Sequence, residues 1–293
     1  MKIYHHPNTI ENPTPKRSTN TDPQELGHHR HTRQPAAYIL NHSHPAWTEK
    51  ELADPHTVTD KARRVQNMFA AIAPWYDLNN RLHSFGRDQA WRAEAVHMAK
   101  VKPNDIVLDV ACGTGDLAIK FAQANPARVI AVDFTLNMLS VAQMKKRQSP
   151  TTTRINYYAG DALHLPIADS SIDIVSIAFG IRNVAQPVQV ASEFHRVLRP
   201  GGRLIVLEFS FPKSSLLRGL YNVYFRHVLP HTAALIARDR TGAYKYLPQS
   251  VHTFFDRSQL LDLLHESGFI NPCHKPLTLG IASLYFATKP NSS

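Results

Sequence analysis

"LDVACGTGDLA", residues Leu108–Ala118, decides how this chain is read. Apolar residues lead into it from Ile106, so it opens as the end of a buried strand. Gly113 and Gly115 permit a tight turn and let the backbone approach a ligand with no Cβ in the way. A helix starting at Asp116 aims its free amides back at that turn. Asp133 lies 20 residues beyond Gly113, at the end of the next apolar run, "RVIAVDF". A carboxylate at that place accepts hydrogen bonds from two ribose hydroxyls. Loop and acid together point to a cofactor that contains adenosine. A pyrophosphate would be repelled by Asp116 at the helix start and by Asp109 inside the strand. Both suit a cofactor with a cationic end, and S-adenosylmethionine carries an ammonium, a sulfonium and a ribose. In "GDALHLP", the Asp161 side chain and the Ala162 amide are placed to grip an adenine edge, with Leu163 on its face.

Outward from this stretch, strands alternate with helices. "DIVLDVAC", "RVIAVDF", "RINYYAGDA", "IDIVSIAF" and "GRLIVLEFS" read as strands. "DLAIKFAQA", "LNMLSVAQMKKR" and "QPVQVASEFHRVLRP" read as the helices between them. This is the pattern of a doubly wound, mostly parallel α/β sheet, which binds ligands at the carboxyl ends of its strands. The last apolar runs, in "FINPCHKPLTLGIASLYFATK", are joined by a short turn-rich link and are expected to pair antiparallel. Before the first strand, "DKARRVQNMFAAIA" places Val65, Met68, Phe69 and Ile72 at helical spacing, ended by Pro74.

The fourth strand ends strangely. "SIDIVSIAFGIRNVAQP", residues 171–187, is apolar from Ile172 to Phe179 and then presents Arg182 and Asn183 directly after Gly180. Either the strand simply ends at the surface, or its end is the wall of a site.

Residues 1–60 differ from the rest. They hold seven prolines, eight of the 17 histidines and no sustained apolar period, and read as a disordered arm. The domain is then 61–290. The histidine spacings are irregular and no cysteine or carboxylate cluster joins them, so no metal site is expected. The arm lacks the apolar core of a secretory signal, and Glu11, Asp22 and Glu25 break the acid-poor pattern of a mitochondrial presequence. Two cysteines, Cys112 and Cys273, without paired spacing fit a reducing compartment. The expected location is cytoplasmic.

Residues 212–250 interrupt the alternation and read as a helical insertion over the active edge. Leu217, Leu220, Tyr221, Tyr224, Phe225 and Val228 form the expected inward stripe. Residues 211–246 carry six Lys/Arg and one acid, Asp239. A basic amphipathic helix of this kind is a membrane-surface element or a simple lid. The arm sums to −1 and the remainder to +11. That excess attracts nucleic acid, anionic lipid or anionic small molecules, but no aromatic and basic residues interleave as single-stranded nucleic-acid binding needs.

"LDVACGTGD", "AVDFTLNML", "GDALHLPIADSSIDIVSIAFGIRNV", "HRVLRPGGRLIVLEFSFP", "YFRHVLP" and the earlier "FAAIAPWYDLNNRLHSFGRDQAWR" together resemble the ubiquinone/menaquinone biosynthesis C-methyltransferases. The resemblance runs from about residue 65 to 287. It implies a class I S-adenosylmethionine-dependent methyltransferase fold and methylation of a ring carbon of a polyprenylated quinol. It places cofactor contacts on Thr114, Asp133, Asp161 and Ala162. Some members have Ser where this chain has Ala178, so a hydroxyl contact is missing there. Demethylmenaquinol is the first expected substrate and a ubiquinone-pathway benzoquinol the second. An NAD-linked oxidoreductase and a degenerate RNA-binding fold are the rivals. No nucleic-acid partner is expected. Peripheral membrane contact stays open beside the simple lid, and so does the oligomeric state, a homodimer included.

Methyl transfer from a sulfonium is an in-line displacement, so the acceptor carbon must sit close with its π face presented. A ring carbon is a weak nucleophile until a neighbouring hydroxyl, with a phenolic pKa near 10, loses its proton. Arg182 is the expected cation for the phenolate. As a base it is poor, because Arg stays protonated. His227 is the expected base, and Tyr76 and Asn183 the positioning groups.

Overall fold

A computed structural model describes residues 47–148, 150–237 and 242–291. Its strands are β1 (Ile106–Val110), β2 (Arg128–Asp133), β3 (Ile155–Ala159), β4 (Ile172–Ala178), β5 (Leu198–Phe209), β6 (Ile270–Leu277) and β7 (Ala282–Thr288). They form one sheet in the order β3-β2-β1-β4-β5-β7-β6. The first five are parallel, and β7 runs antiparallel to both β5 and β6. The expected alternation and the antiparallel terminal pair are therefore both present.

Eleven helices are found among the described residues. Ahead of β1 come α1 (Glu49–Ala53), α2 (Lys61–Ile72), α3 (Tyr76–His83) and α4 (Arg87–Ala99). Between the strands lie α5 (Asp116–Gln123), α6 (Leu136–Lys146) and α7 (Pro187–Val197). After β5 come α8 (Ser215–Val223), α9 (Leu229–Ala237), α10 (Ala243–His252) and α11 (Arg257–Glu266).

The central strands read as continuous apolar runs because both faces of the sheet are covered. Alternate residues feed opposite cores. Leu108, Val110, Val175, Ile177, Leu204 and Val206 meet Val190 and Phe194 of α7 and Leu260 and Leu264 of α11. Val107, Ile174, Ile205 and Leu207 meet Trp91 and Ala95 of α4 and Leu117 and Phe121 of α5. Within β1, β4 and β5, three polar residues are nearly fully buried: Asp109, Ser176 and Glu208.

From β1 the chain steps outward to β2 and β3, then crosses back to β4 and β5. The carboxyl ends of β1 and β4 thus flank the point where the winding reverses, and a crevice opens there.

A third core covers that edge. Trp47, Leu52, Met68 and Ile72 pack with Tyr221, Phe225, Leu229, Tyr244 and Tyr246. Residues 1–46 of the expected disordered arm lie outside the described residues. Residues 47–60 do not fit that expectation: Thr48 and Glu51 form a capping box on α1, and the Trp47 ring stacks on Tyr246 at 4.7 Å. The folded domain therefore includes Trp47 and the residues that follow it. One tryptophan and one leucine anchor a segment too short to show a periodic apolar pattern.

The insertion also differs in phase from its expected stripe. Tyr221, Phe225 and Leu229 point inward, whereas Leu220 and Val228 are exposed. A π-helical turn at Tyr224–Val228 lengthens the local period beyond 3.6 residues, so positions four apart stay on one face. Leu216, Leu220 and Val223 then form an exposed apolar stripe on α8. No helix among the described residues is long and apolar enough to cross a membrane.

Candidate active site

Two cavities meet at the carboxyl edge of the sheet. The smaller, about 880 Å³, is lined by the ends of four strands: Val110 and Ala111, Asp133 to Thr135, Gly160 to Leu163, and Ala178 to Gly180. The larger, about 1160 Å³, lies between α2, α3, α4 and the insertion, and its walls include Trp91, Phe209, Tyr221, Phe225, Tyr246 and Arg182. Phe69, Tyr76 and Phe179 line both. Tyr76 also borders a small polar recess formed by Asp109, Gly113, Thr114 and Asp116.

The smaller cavity gathers the open glycine and the two aspartates that the sequence marked as nucleoside contacts. Gly113 has φ +55°, and a Cβ there would meet no atom within 4 Å, so its face is open. Its N–H donates to Asp133 Oδ2 at 2.7 Å, while Asp133 Oδ1 accepts the Thr135 N–H at 2.8 Å. These bonds fix the carboxylate and leave one lone pair on each oxygen for a ligand. Burial raises the pKa of Asp133 despite both bonds. Asp161 accepts the Leu163 N–H at 2.9 Å, which folds the loop after β3 so that Asp161, Ala162 and Leu163 all line the cavity.

Gly115 serves a different end from the one expected. At φ +82°, a Cβ on it would stand 2.3 Å from Tyr157 Oη, so its bareness admits Tyr157 to the core. Thr114 also turns away from the nucleoside cavity. Its hydroxyl donates to Asp77 Oδ1 at 2.5 Å, and Lys145 joins Asp77 at 2.7 Å and also bonds Asp116. Burial alone would raise Asp116, but Lys145, Arg92 and Arg81 outweigh it and hold the carboxyl below its usual range. Asp116 is thus already neutralised. Asp109 is not. Ser176 donates to its Oδ1 at 2.7 Å, whereas the buried Oδ2 has no partner. Burial pushes its pKa up to about 7. An orphaned buried carboxylate oxygen beside an open glycine fits a ligand that brings a positive charge, as S-adenosylmethionine does and a dinucleotide does not.

At the end of β4, a helical turn at Ile181–Asn183 turns both polar side chains inward. Arg182 is 4% exposed, and its guanidinium lies 5.3 Å from the Phe209 ring centre. Nη1 donates to Phe179 O at 2.8 Å and to Glu208 Oε1 at 2.6 Å. Nε is buried with no partner, and so is Glu208 Oε2. The strand does not simply end at the surface: Arg182 is buried, forms a salt bridge with Glu208 and lines the larger cavity. Burial raises the pKa of Glu208, against the lowering pull of Arg182. Asn183 lines the smaller cavity, donates to Phe179 O at 3.0 Å and accepts from Tyr246 Oη at 3.0 Å. Tyr76 stands where the two cavities meet, and burial raises its pKa.

His227 falls away from the site. It is exposed in the π-helical turn, lines neither cavity, and its carbonyl accepts from His231 Nδ1. The longer local period that sends Phe225 and Leu229 inward sends His227 out. The imidazole on the wall of the larger cavity is His83, whose Nδ1 donates to Asn79 O at 2.9 Å and whose Nε2 meets Thr232 Oγ1 at 2.8 Å. Asp88 and Arg92 pair at 2.8 Å on the same wall, both buried. His83 stands within the quoted "FAAIAPWYDLNNRLHSFGRDQAWR", where no spacing singled it out. Glu208 was visible as the lone charge in "LIVLEFS". Among the described residues, no group of three or more His, Cys, Asp or Glu is placed to hold a metal ion.

The model of the ubiE/COQ5 methyltransferase family matches residues 57–289, nearly the whole folded part. The chain belongs to this family. A ubiquinone/menaquinone biosynthesis C-methyltransferase of Geotalea daltonii is 43% identical over 234 residues, covering 79% of this chain and 99% of the relative. A demethylmenaquinone methyltransferase of Deinococcus radiodurans is 43% identical over 78% of this chain and 94% of its own length. A solved S-adenosylmethionine-dependent methyltransferase of Thermotoga maritima shares the fold, with a TM-score of 0.53, 20% identity, and coverage of 77% of this chain and 99% of its own. Membership of the ubiE/COQ5 family makes the protein an S-adenosylmethionine-dependent C-methyltransferase, as the fold and the charged recess had suggested.

Proposed function

We propose that this methyltransferase acts on a ring carbon of a polyprenylated quinol, with demethylmenaquinol converted to menaquinol. The observation that carries the reading is the buried, partnerless Nε of Arg182 on the wall of an aromatic cavity. An unmade hydrogen bond of this kind is costly unless a ligand completes it, and a phenolate oxygen of the acceptor would do so. Relatives in Deinococcus radiodurans and Thermus thermophilus that are named demethylmenaquinone methyltransferases, both over 40% identical, favour the naphthoquinol.

S-adenosylmethionine supplies an electrophilic methyl on a sulfonium when bound. Asp133, Asp161 and Ala162 are the groups we assign to its nucleoside, with Gly113 as the open floor and Asp109 facing the cationic end. The Thr114 hydroxyl and Gly115 support this loop from behind, through Asp77 and Tyr157. Tyr76 and Asn183 orient the ring at the border of the two cavities. Phe179, Phe209 and Tyr221 exclude water, which strengthens every charge interaction inside. Arg182 stabilises the phenolate, and Glu208 holds the guanidinium in place. The proton of the ring hydroxyl passes to Nε2 of His83 rather than to His227, the Thr232 hydroxyl turning to Val228 O and freeing that lone pair.

The apolar stripe of α8, flanked by Lys213, Arg218 and Arg226, suits peripheral contact with an anionic membrane from which the prenylated substrate is taken. A ubiquinone-pathway benzoquinol is the alternative acceptor. Purified protein given S-adenosylmethionine and either short-tailed demethylnaphthoquinol or 2-methoxy-6-prenyl-benzoquinol tests both readings. Methylation of the naphthoquinol is expected. Transfer to the benzoquinol alone would reassign the substrate, and transfer to neither would end the proposal.

A further inference from the structure

Lys61, the first residue of α2, is 2% exposed yet forms no ion pair among the described residues. All three protons of its ammonium are instead spent on polar acceptors. Nζ donates to Arg182 O at 2.8 Å, to Val184 O at 2.7 Å and to His56 Nδ1 at 3.0 Å. His56 is held in turn, because its Nε2–H donates to Ser250 O of α10 at 2.9 Å. That bond leaves Nδ1 as the acceptor Lys61 needs.

Burying an ammonium without a counter-ion is expensive, and an apolar side chain of the same length would fill the space without that cost. Burial, with Arg182 nearby, brings the pKa of Lys61 down to about 8. The position is therefore explained by what the ammonium holds. It holds the two carbonyls that bracket Asn183, in the turn that carries both Arg182 and Asn183. Lys61 itself lines neither cavity.

We infer that Lys61 is a positioning residue for methyl transfer, fixing the backbone of the Arg182–Val184 turn so that Arg182 faces the acceptor cavity. His56 and the segment from Trp47 extend the clamp. Trp47 stacks on Tyr246, whose hydroxyl donates to Asn183 Oδ1 at 3.0 Å, so the turn is gripped by backbone and by side chain. His56 lies just before the stretch that the family model matches, which begins at residue 57.

The inference rests on the assignment of Arg182 and Asn183 to the reaction, and the experiment separates the two. Lys61→Met, Arg182→Met and the double variant are assayed for turnover and, by calorimetry, for S-adenosylmethionine affinity. Small misplacement of a reacting group costs on the order of 10²-fold in rate. Lys61→Met should therefore lower kcat by roughly 10- to 100-fold, with KM for the quinol and cofactor affinity little changed. The double variant should be no slower than Arg182→Met alone, since Lys61 acts through that turn. A purely structural role would instead give losses that multiply, and that result overturns the inference. So does full turnover of Lys61→Met beside an inactive Arg182→Met. Full turnover of Arg182→Met would overturn the assignment of Arg182 instead. Should Lys61→Met fail to fold, His56→Leu takes its place in the same cycle. Its loss of turnover should be smaller, because both turn carbonyls keep their donor, and should again vanish beside Arg182→Met. Wild-type kcat for His56→Leu, or a loss that persists beside Arg182→Met, overturns the inference in that case.

Discussion

The Arg182–Glu208 pair allows stability and catalysis to be pulled apart. Both side chains are buried, at 5% and 2% exposure, and meet at 2.6 Å. Glu208→Gln keeps the shape and an acceptor for the Phe209 N–H, now 2.8 Å from Oε1, but leaves the guanidinium without a counter-charge. Breaking a buried pair by removing one partner costs about 3–5 kcal/mol. For a domain of this size that is a fall in Tm of roughly 6–20 °C. Replacing both partners, as Arg182→Met with Glu208→Met, removes the stranded charge, and most of the lost stability should return. Turnover should not return. Loss of one group that stabilises developing anionic charge costs about 10²–10³-fold in kcat. Urea unfolding measures the first quantity, and methyl transfer from S-adenosylmethionine to a short-tailed demethylnaphthoquinol measures the second. Cofactor affinity should stay near wild type, because the Arg182 side chain lines only the acceptor cavity. If the double methionine variant regains turnover along with stability, the guanidinium has no part in the chemistry and the reading of the cavity wall fails.

Three further outcomes are expected. Asp109 keeps its proton in the folded, cofactor-free protein up to about pH 7 but loses it near pH 4 when unfolded. Its contribution to stability is therefore present below about pH 4 and is lost as pH rises to 7. Asp109→Asn should flatten that part of the Tm-against-pH curve and weaken S-adenosylmethionine binding by about 1.5–3 kcal/mol, the worth of a charge-assisted hydrogen bond. An unchanged slope and affinity would show that the orphaned oxygen meets no ligand. His83→Gln should lower kcat by roughly 10²–10⁴-fold, the usual worth of a general base, whereas His227→Gln should leave it alone. The reverse result in the methyl-transfer assay would restore His227. Finally, the protein should co-sediment with vesicles containing anionic phospholipid, less so at high salt, and replacing Leu216, Leu220 and Val223 by Ser should abolish this. Binding indifferent to lipid charge would leave the insertion as a lid only.

Most of the architecture was legible because the signals are local. Apolar runs bounded by Gly, Pro and Asp mark the strands, and the spacing from Gly113 to Asp133 marks the cofactor edge. Two features were not legible. The π-helical turn at Tyr224–Val228 changes the period of its helix by less than one residue per turn, yet that shift exchanged His227 for the inward positions beside it. The anchoring of residues 47–60 depends on one stack, Trp47 on Tyr246, between residues about 200 positions apart. No local pattern encodes such a contact.

The contacts of Thr114, Gly115 and Asp116 within the protein were hidden for a related reason. Residue type and spacing show that a loop turns beneath a ligand, but not which of its groups have been claimed by the protein. Asp77 takes Thr114, Tyr157 takes the space over Gly115, and Lys145 takes Asp116. Asp109 in one recess and Arg182 in the other each keep a buried atom that no protein group satisfies, as does Glu208 beside Arg182. Asp109 offers an acceptor and Arg182 a donor, on either side of Tyr76. A cationic methyl donor and an anionic ring oxygen would satisfy Asp109 and Arg182 at once, so these two residues describe the charge pattern of the proposed reaction more directly than the sequence motifs do.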